Sequence, residues 1–111
     1  MQVTVRQECG VGILDVDGYI NSEGGEQVAQ TCQRLMGEDV RKFLITLDKC
    51  SIVNSVGISF LIEVIELVRE KEGQTVFCCV SPTIAKTFRI MGLLQSAAIF
   101  ETESTALKEL T

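Results

Sequence analysis

The sequence contains no histidine, no tryptophan and only one proline among its 111 residues. Without histidine, the commonest general base is missing, together with every Ser-His and Cys-His nucleophile pair. The sequence also has neither a G-x-x-x-x-G-K-[ST] loop nor a G-x-G-x-x-G fingerprint. These absences argue against catalysis and nucleotide binding. We therefore expect a protein that is not an enzyme, needs no cofactor and acts by binding another protein.

Positive charge is scarce as well. Ten Lys and Arg residues stand against fifteen Asp and Glu residues, which gives a formal net charge of −5. Nucleic-acid binding needs a cluster of basic residues, and an acidic chain is also unsuited to an anionic membrane surface. No apolar run approaches the ~18 residues of a membrane-spanning helix, and the first ten residues lack the pattern of a signal peptide. We expect a soluble, cytoplasmic protein with no nucleic-acid or membrane partner.

The five cysteines form an odd set without C-x-x-C spacing: Cys9, Cys32, Cys50, Cys78 and Cys79. Such a set is typical of reduced thiols in a cytosol, and with no histidine it predicts no metal site. We interpret all five as small buried apolar residues. If Cys78 and Cys79 lie on one strand, their side chains should point to opposite faces of the sheet.

Hydrophobic periodicity divides the chain into one domain, residues 1–111, of strands and helices. Two alternating runs on either side of Cys9-Gly10 predict an antiparallel hairpin that Gly18 closes. The patterns that follow are a helix from Ser22 to before Gly37, a strand over 43–47 ended by Asp48, a helix over 55–71, a strand over 75–80, a helix from Pro82 to before Gly92 with Ile84, Phe88 and Met91 inward, a strand over 98–100 and a last helix from about Ser104. This alternation predicts an α/β fold with a mixed, mostly parallel sheet, an N-terminal hairpin and about four helices packed on it.

The segment before the longest predicted helix combines apolar flanks with a small polar centre. We expect Ile52 and Val53 to anchor a loop, with Asn54 or Ser55 capping the helix, a contribution of about 0.5–2 kcal/mol. A hydroxyl at this position could also carry a phosphate, because unpaired N–H groups and the helix dipole favour negative charge there. The residues by themselves leave a structural cap and a modification site both open.

The longest helix carries two apolar stripes. The stripe expected to face the sheet consists of Ile58, Leu61, Ile62, Ile65 and Val68. The second stripe consists of Val56, Phe60, Val64 and Leu67. Either it forms an exposed strip for a partner protein, or neighbouring helices cover it.

Taken together, these segments resemble the STAS domain, the fold of bacterial anti-sigma factor antagonists. The resemblance covers nearly the whole chain. It is carried by Gly18-Tyr19-Ile20-Asn21, the strand Leu44 to Asp48, the segment Ile52-Val53-Asn54-Ser55-Val56-Gly57-Ile58, the strand before Ser81-Pro82, and Phe88-Arg89-Ile90-Met91-Gly92-Leu93.

In that family, a serine or threonine in a D-S-x-G-type loop is phosphorylated by a partner kinase, often the anti-sigma factor itself. Ser55 and Gly57 match the serine and glycine of that loop. The resemblance implies an antagonist that binds an anti-sigma factor with serine kinase activity, is switched off by phosphorylation of Ser55 and is reset by a phosphatase. The implied partner-binding residues are Asn21, Ser22, Asn54, Ser55, Val56, Gly57 and Phe60.

Two positions depart from the family pattern. Asn54 replaces the aspartate before the phosphorylated serine, and Asn21 replaces an acidic residue common at the end of the hairpin. Both changes remove charge beside the expected contact surface. One alternative is a structural STAS subunit of a stressosome-like or other multiprotein assembly that is never phosphorylated; a homodimer is also compatible with the resemblance. Another is a thiol-dependent enzyme using Cys50, although no base or cation lies nearby in sequence.

Overall fold

A computed structural model describes residues 1–111. Its elements in chain order are β1 Gln2–Glu8, β2 Val11–Ile20, α1 Ser22–Met36, β3 Lys42–Val53, α2 Ser55–Glu70, β4 Gln74–Cys78, α3 Pro82–Ile90, a short 3-10 helix Leu93–Gln95, β5 Ala98–Phe100 and α4 Glu103–Leu110. The five strands form one sheet in the order β1-β2-β3-β4-β5. Only β1 and β2 pair antiparallel, and the other neighbours are parallel. The predicted hairpin and mixed α/β sheet are therefore confirmed.

The two faces of the sheet are covered unequally. Helices α1, α2 and α3 bury the larger core cluster, to which Phe43 and Ile45 of β3 contribute. Helix α4 covers a smaller cluster on the other face, to which Leu44 contributes. Consecutive residues of β3 thus enter different clusters. This two-sided burial explains why the strand reads as a continuous apolar run.

Strands β2 and β3 extend further than the sequence predicts. Gly18 was expected to close the hairpin, but it lies within β2 and pairs with Cys50 of β3. Its φ of +121° coincides with a register shift between Gly18 and Tyr19, so the glycine marks an irregularity inside the strand. Residues 49–53 were predicted as loop but belong to β3, where Val53 pairs with Ile20. The exposed polar residues of this stretch lack the apolar pattern of a buried strand. It is a strand because it pairs with β2, which is distant in sequence.

The second apolar stripe of α2 is largely covered, because α1 packs beside α2. Val64 is buried, and Phe60 and Leu67 are half-buried. A Cβ placed on Gly25 of α1 would lie 3.0 Å from the Cβ of Phe60. Of the four residues in the stripe, only Val56 is half exposed, at 50%. The structural alternative therefore accounts for most of this stripe.

Helix α3 is attached through Ile84 and Phe88, which are buried as predicted. The ring of Phe88 packs against that of Phe77 of β4, with centroids 5.2 Å apart. The prediction that Met91 faces inward is wrong, since the helix ends at Ile90 and Met91 is 36% exposed. Gly92 then takes a left-handed φ of +81°, as a residue without a Cβ does readily.

The uniform interpretation of the cysteines is only partly right. Cys32, Cys50 and Cys78 are buried, whereas Cys79 is half-buried and Cys9 is exposed in the hairpin turn. Cys78 and Cys79 do not point to opposite faces, because β4 ends at Cys78 and Cys79 has a φ of +61°. Among the helices, none combines the length and the hydrophobicity of a membrane-spanning segment.

Candidate functional site

The N-terminal ends of α1 and α2 lie side by side at one edge of the sheet. They follow β2 and β3, two neighbouring parallel strands whose carboxyl ends meet at that edge. The backbone N–H of Asn54 donates to the carbonyl of Ile20 at 3.0 Å, which joins the ends of the two strands. A Cβ on Gly25 would lie 2.6 Å from the carbonyl oxygen of Gly57. The two helix starts are thus in direct contact.

Both helices begin with the same tetrapeptide pattern, N-S-x-G. Asn21 caps α1 by accepting a hydrogen bond from the N–H of Gly24 at 2.9 Å. Asn54 caps α2 by accepting one from the N–H of Gly57 at 2.8 Å. Of the two predicted cap candidates for α2, Asn54 is therefore the cap. Ser55 is the first residue of the helix.

The amide of Asn54 does what a carboxylate at the same position would do for the helix. Asn and Asp are about equally good N-caps, since each offers a side-chain oxygen to a free backbone N–H. The Nδ2 group of Asn54 also donates a weak hydrogen bond to the hydroxyl of Tyr19 at 3.5 Å, whereas a carboxylate there could only accept one from that hydroxyl. Asn54 therefore preserves the cap while leaving this surface without a negative charge.

Ser55 presents its hydroxyl to solvent at the start of α2. The residue is exposed, and its Oγ makes no hydrogen bond within the protein, while its carbonyl accepts one from the hydroxyl of Ser59 at 2.9 Å. The N–H groups of Ser55 and Val56 have no acceptor in the preceding turn, as is general for the first residues of a helix. A group added to Ser55 would therefore meet open solvent and two free N–H donors.

Gly57 and Phe60 are less exposed than Ser55 and Val56. Gly57 is buried, and a Cβ there would clash with the carbonyl of Ile20 and lie 2.8 Å from that of Asn21. The missing side chain allows α2 to start against the end of β2. Phe60 is half-buried and packs against the larger core cluster.

Three exposed apolar side chains belong to the segments that meet at the start of α2. Tyr19 is 41% exposed, Ile52 55% and Val56 50%. Tyr19 and Ile52 are paired residues of β2 and β3, and Val56 is the second residue of α2. We refer to Tyr19, Ile52 and Val56 as the apolar trio. It is a candidate contact surface, because Tyr19 and Ile52 are paired and Val56 lies just beyond the end of β3.

Sequence reasoning missed Tyr19 and Ile52. Both lie in strand segments that were predicted to have ended, Tyr19 after Gly18 and Ile52 after Asp48. The available signal was the alternation in Tyr19-Ile20, since an inward Ile20 requires an outward Tyr19. For Ile52, the expected role as a loop anchor is wrong because β3 continues and carries its side chain outward.

The thiol of Cys50 is poorly placed for nucleophilic chemistry. The residue is only 7% exposed, and its Sγ donates to the carbonyl of Ile52 at 3.6 Å. Burial raises the pKa of the Cys50 thiol above its ordinary value. A thiol that holds its proton more tightly is a weaker nucleophile at neutral pH.

Comparison with known proteins points to one family. The STAS domain model matches residues 2–106. A curated relative, BtrV of Bordetella bronchiseptica, is a candidate anti-sigma factor antagonist that is 24% identical over 94 residues, covering 85% of this chain and 81% of BtrV.

Solved structures give the same fold at low sequence identity. A candidate anti-sigma factor antagonist of Thermotoga maritima, TM1081, has a TM-score of 0.89 and 14% identity, covering 97% of this chain and 93% of that one. The phosphorylated form of the Bacillus cell fate determinant SpoIIAA has a TM-score of 0.76 and 16% identity, with 99% and 100% covered. The predicted STAS fold is thereby confirmed.

Proposed function

Because the chain belongs to the STAS domain family, we propose that it is an anti-sigma factor antagonist whose partner binding is switched off by phosphorylation of Ser55. The partner is an anti-sigma factor with serine kinase activity, and a phosphatase restores the binding form. The observation that carries this proposal is the exposed Ser55 hydroxyl, free of hydrogen bonds, at the start of α2 and beside the apolar trio. A protein with the same fold, SpoIIAA, has been solved in a phosphorylated form.

The fold tolerates a phosphate at this position. A phosphoserine carries about −1.5 to −2 charges at neutral pH. At the first residue of α2 these charges lie beside the free N–H groups of Ser55 and Val56 and the positive end of the helix dipole. Such placement stabilises an exposed helix by about 0.3–1 kcal/mol. The modification therefore changes the surface without melting the helix.

A bound partner does not tolerate the same charge. Docking on the apolar trio removes Tyr19, Ile52 and Val56 from water, and Ser55 precedes Val56 at the start of α2. A phosphate trapped there without a counter-charge loses its hydration, a cost of several kcal/mol. Phosphorylation consequently releases the partner, and the charge acts as the switch.

Ser55 is a better phosphoacceptor than Ser22, although both occupy the same position in an N-S-x-G segment. Ser22 is followed by Glu23, whose carboxylate would repel a phosphate on the neighbouring residue. Ser55 is followed by Val56 of the apolar trio, so a kinase that contacts the trio lies next to Ser55. We assign Ser22, Asn21 and Asn54 to partner contact without modification.

The phosphoacceptor is tested with the proposed partner, an anti-sigma factor that has serine kinase activity. The purified kinase and ATP are mixed with the wild type, Ser55→Ala and Ser22→Ala, and the phosphate is located by mass spectrometry. We expect one phosphate on the wild type and on Ser22→Ala, and none on Ser55→Ala. Phosphate found on Ser22, or undiminished incorporation into Ser55→Ala, would refute the assignment.

The switch itself is tested with two substitutions of equal size. Ser55→Asp adds a negative charge, whereas Ser55→Asn has nearly the same shape without one. We expect Ser55→Asp to weaken binding to the anti-sigma factor at least tenfold and Ser55→Asn to bind within about threefold of the wild type, since ~1.4 kcal/mol corresponds to a factor of ten. Equal binding by the two variants would rule out a charge switch.

The alternative function is a structural STAS subunit that assembles with other proteins and is never phosphorylated. The uncharged apolar trio favours it, since these side chains can hold a partner with no phosphate involved. A protein that carries no phosphate on Ser55 after kinase treatment, yet loses its partner on Val56→Glu, would support this function over the switch.

A further inference from the structure

Two adjacent cysteines are brought together where β4 ends. Cys78 is the last residue of β4, and Cys79 follows it with a left-handed φ of +61°. In a continuing strand, neighbouring side chains point to opposite faces. A positive φ is uncommon for a residue with a Cβ, and here it turns the chain so that the two Sγ atoms lie 3.4 Å apart.

The two thiols share one environment on the α4 side of the sheet. Cys78 is fully buried in the smaller core cluster, and Cys79 is half-buried and packs against the same cluster. The N–H of Cys79 donates to the carbonyl of Phe100 at 3.3 Å, which ties the turn to the neighbouring strand β5. The contact between the sulfurs is thus set by the sheet and not by a free loop.

We propose that Cys78 and Cys79 form a vicinal dithiol that a small disulfide oxidant, such as glutathione disulfide, converts reversibly into a Cys78–Cys79 disulfide. The Cys79 thiolate attacks one sulfur of glutathione disulfide, forming a mixed disulfide and expelling one glutathione thiolate. The Cys78 sulfur then attacks the Sγ of Cys79, which expels the second glutathione, and this thiolate takes the proton of Cys78. The two protein thiols together lose two electrons and two protons, and glutathione disulfide becomes two glutathione thiols.

The order of attack follows from exposure. Cys79 is half-buried and can be reached by the oxidant, whereas Cys78 has no exposed surface. Burial also raises the pKa of Cys78 to about 12, so its thiol is protonated at neutral pH and does not make the first attack. Cys79 is therefore the attacking thiol and Cys78 the resolving one.

A disulfide between the adjacent residues Cys78 and Cys79 is easily reduced, and it lies where the chain enters α3. Adjacent Cα atoms are ~3.8 Å apart, closer than the ~4.4 Å at which ordinary disulfides begin, so the bridge is easily reduced. Strained disulfides of this kind are the regulatory ones rather than the structural ones. Cys79 lies two residues before Ser81, the cap of α3, so the bridge stiffens the chain that enters this helix.

The experiment uses a Cys9→Ser background, because Cys9 is exposed and would react by itself. The folded protein is treated with glutathione disulfide, quenched with acid and mapped by mass spectrometry. We expect the 78–79 peptide to lose two hydrogens without retaining glutathione, and to regain them on treatment with dithiothreitol. Cys78→Ala should stop at a glutathione adduct on Cys79, and Cys79→Ala should show no reaction at Cys78.

A second reagent tests the proximity of the thiols without any side-chain change in the pair. Phenylarsine oxide bridges two neighbouring thiols, and we expect one arsenical per chain that resists excess monothiol but is removed by a dithiol. A lasting glutathione adduct on Cys79 with both cysteines present, or no reaction at either residue, would overturn the proposal. An arsenical that excess monothiol removes would overturn it as well.

Discussion

At the residue scale, the start of α2 depends on the side-chain oxygen of Asn54. Its bond to the N–H of Gly57 satisfies one of the free donors of the first turn. We expect Asn54→Ala to lower the free energy of unfolding by about 0.5–2 kcal/mol, whereas Asn54→Asp, which keeps the oxygen, should stay within about 0.5 kcal/mol of the wild type. Urea denaturation followed by circular dichroism measures both.

The Asp variant is the informative control for this position. If Asn54→Asp lost as much stability as Asn54→Ala, the hydrogen bond from Gly57 to the cap would not be the stabilising interaction at this position. The result also bears on the departure from the D-S-x-G pattern. A neutral outcome means that the fold accepts either residue, so that the absence of charge concerns the partner alone.

At the element scale, the approach of α1 and α2 requires glycine at their starts. A Cβ on Gly57 would meet the carbonyls of Ile20 and Asn21, and backbone atoms cannot move aside as a flexible side chain can. We expect Gly57→Ala to destabilise the protein by about 1–3 kcal/mol despite the higher helix propensity of alanine. Chemical denaturation is the measurement.

Gly37 offers a matched control for that substitution. It is exposed, has an ordinary helical φ of −64°, and its added Cβ would come no closer than 3.2 Å to the carbonyl of Arg34. Gly37→Ala should change stability by less than about 1 kcal/mol. Similar losses at the two positions would show that the helix contact does not depend on Gly57.

Helix α3 is held to the sheet mainly by one aromatic ring. Phe88 is fully buried against Phe77, whereas Ile90 on the same helix is 73% exposed. Phe88→Ala should cost about 3–5 kcal/mol, and Ile90→Ala should stay within about 0.5 kcal/mol. Thermal and urea unfolding of the pair test this, and a large loss in Ile90→Ala would place that residue in an undetected contact.

At the scale of the whole molecule, burial of a thiol makes stability depend on alkaline pH. Burial raises the pKa of Cys32 from its ordinary value of 9.0 to about 12. Below pH 9 the thiol is protonated in both states, so it adds no pH dependence. Between pH 9 and about 12 the unfolded chain releases this proton and the folded chain does not, which favours unfolding progressively.

We therefore expect the unfolding free energy to fall with pH above 9, and to fall more steeply in the wild type than in Cys32→Ala. The difference in slope should approach about 1.4 kcal/mol per pH unit, since other titrating groups are common to both proteins. Urea denaturation under reducing conditions at pH 8, 9.5 and 10.5 measures it. Parallel slopes would contradict the burial effect.

Helix and strand types were readable because hydrophobic periodicity is a local property. The pattern of Val28, Cys32 and Leu35 predicts α1 whatever lies around it, and all three are buried. The ends of β2 and β3 were not readable, because residues 49–53 are strand only through pairing with β2. The polar residues after Asp48 and the glycine at position 18 predicted strand ends, because the pairing between β2 and β3 cannot be recognised from a local pattern.

The sequence by itself determined the order of elements, the mixed sheet and the hydroxyl of Ser55 near a helix start, because periodicity and cap chemistry act over a few residues. Only the tertiary structure decided which side chains reach solvent. Packing of α1 on α2 covers Val64 and much of Phe60, continued pairing of β3 exposes Ile52, and the contact of both helix starts buries Gly57. Exposure depends on what folds over a residue from elsewhere in the chain, and no local pattern records it.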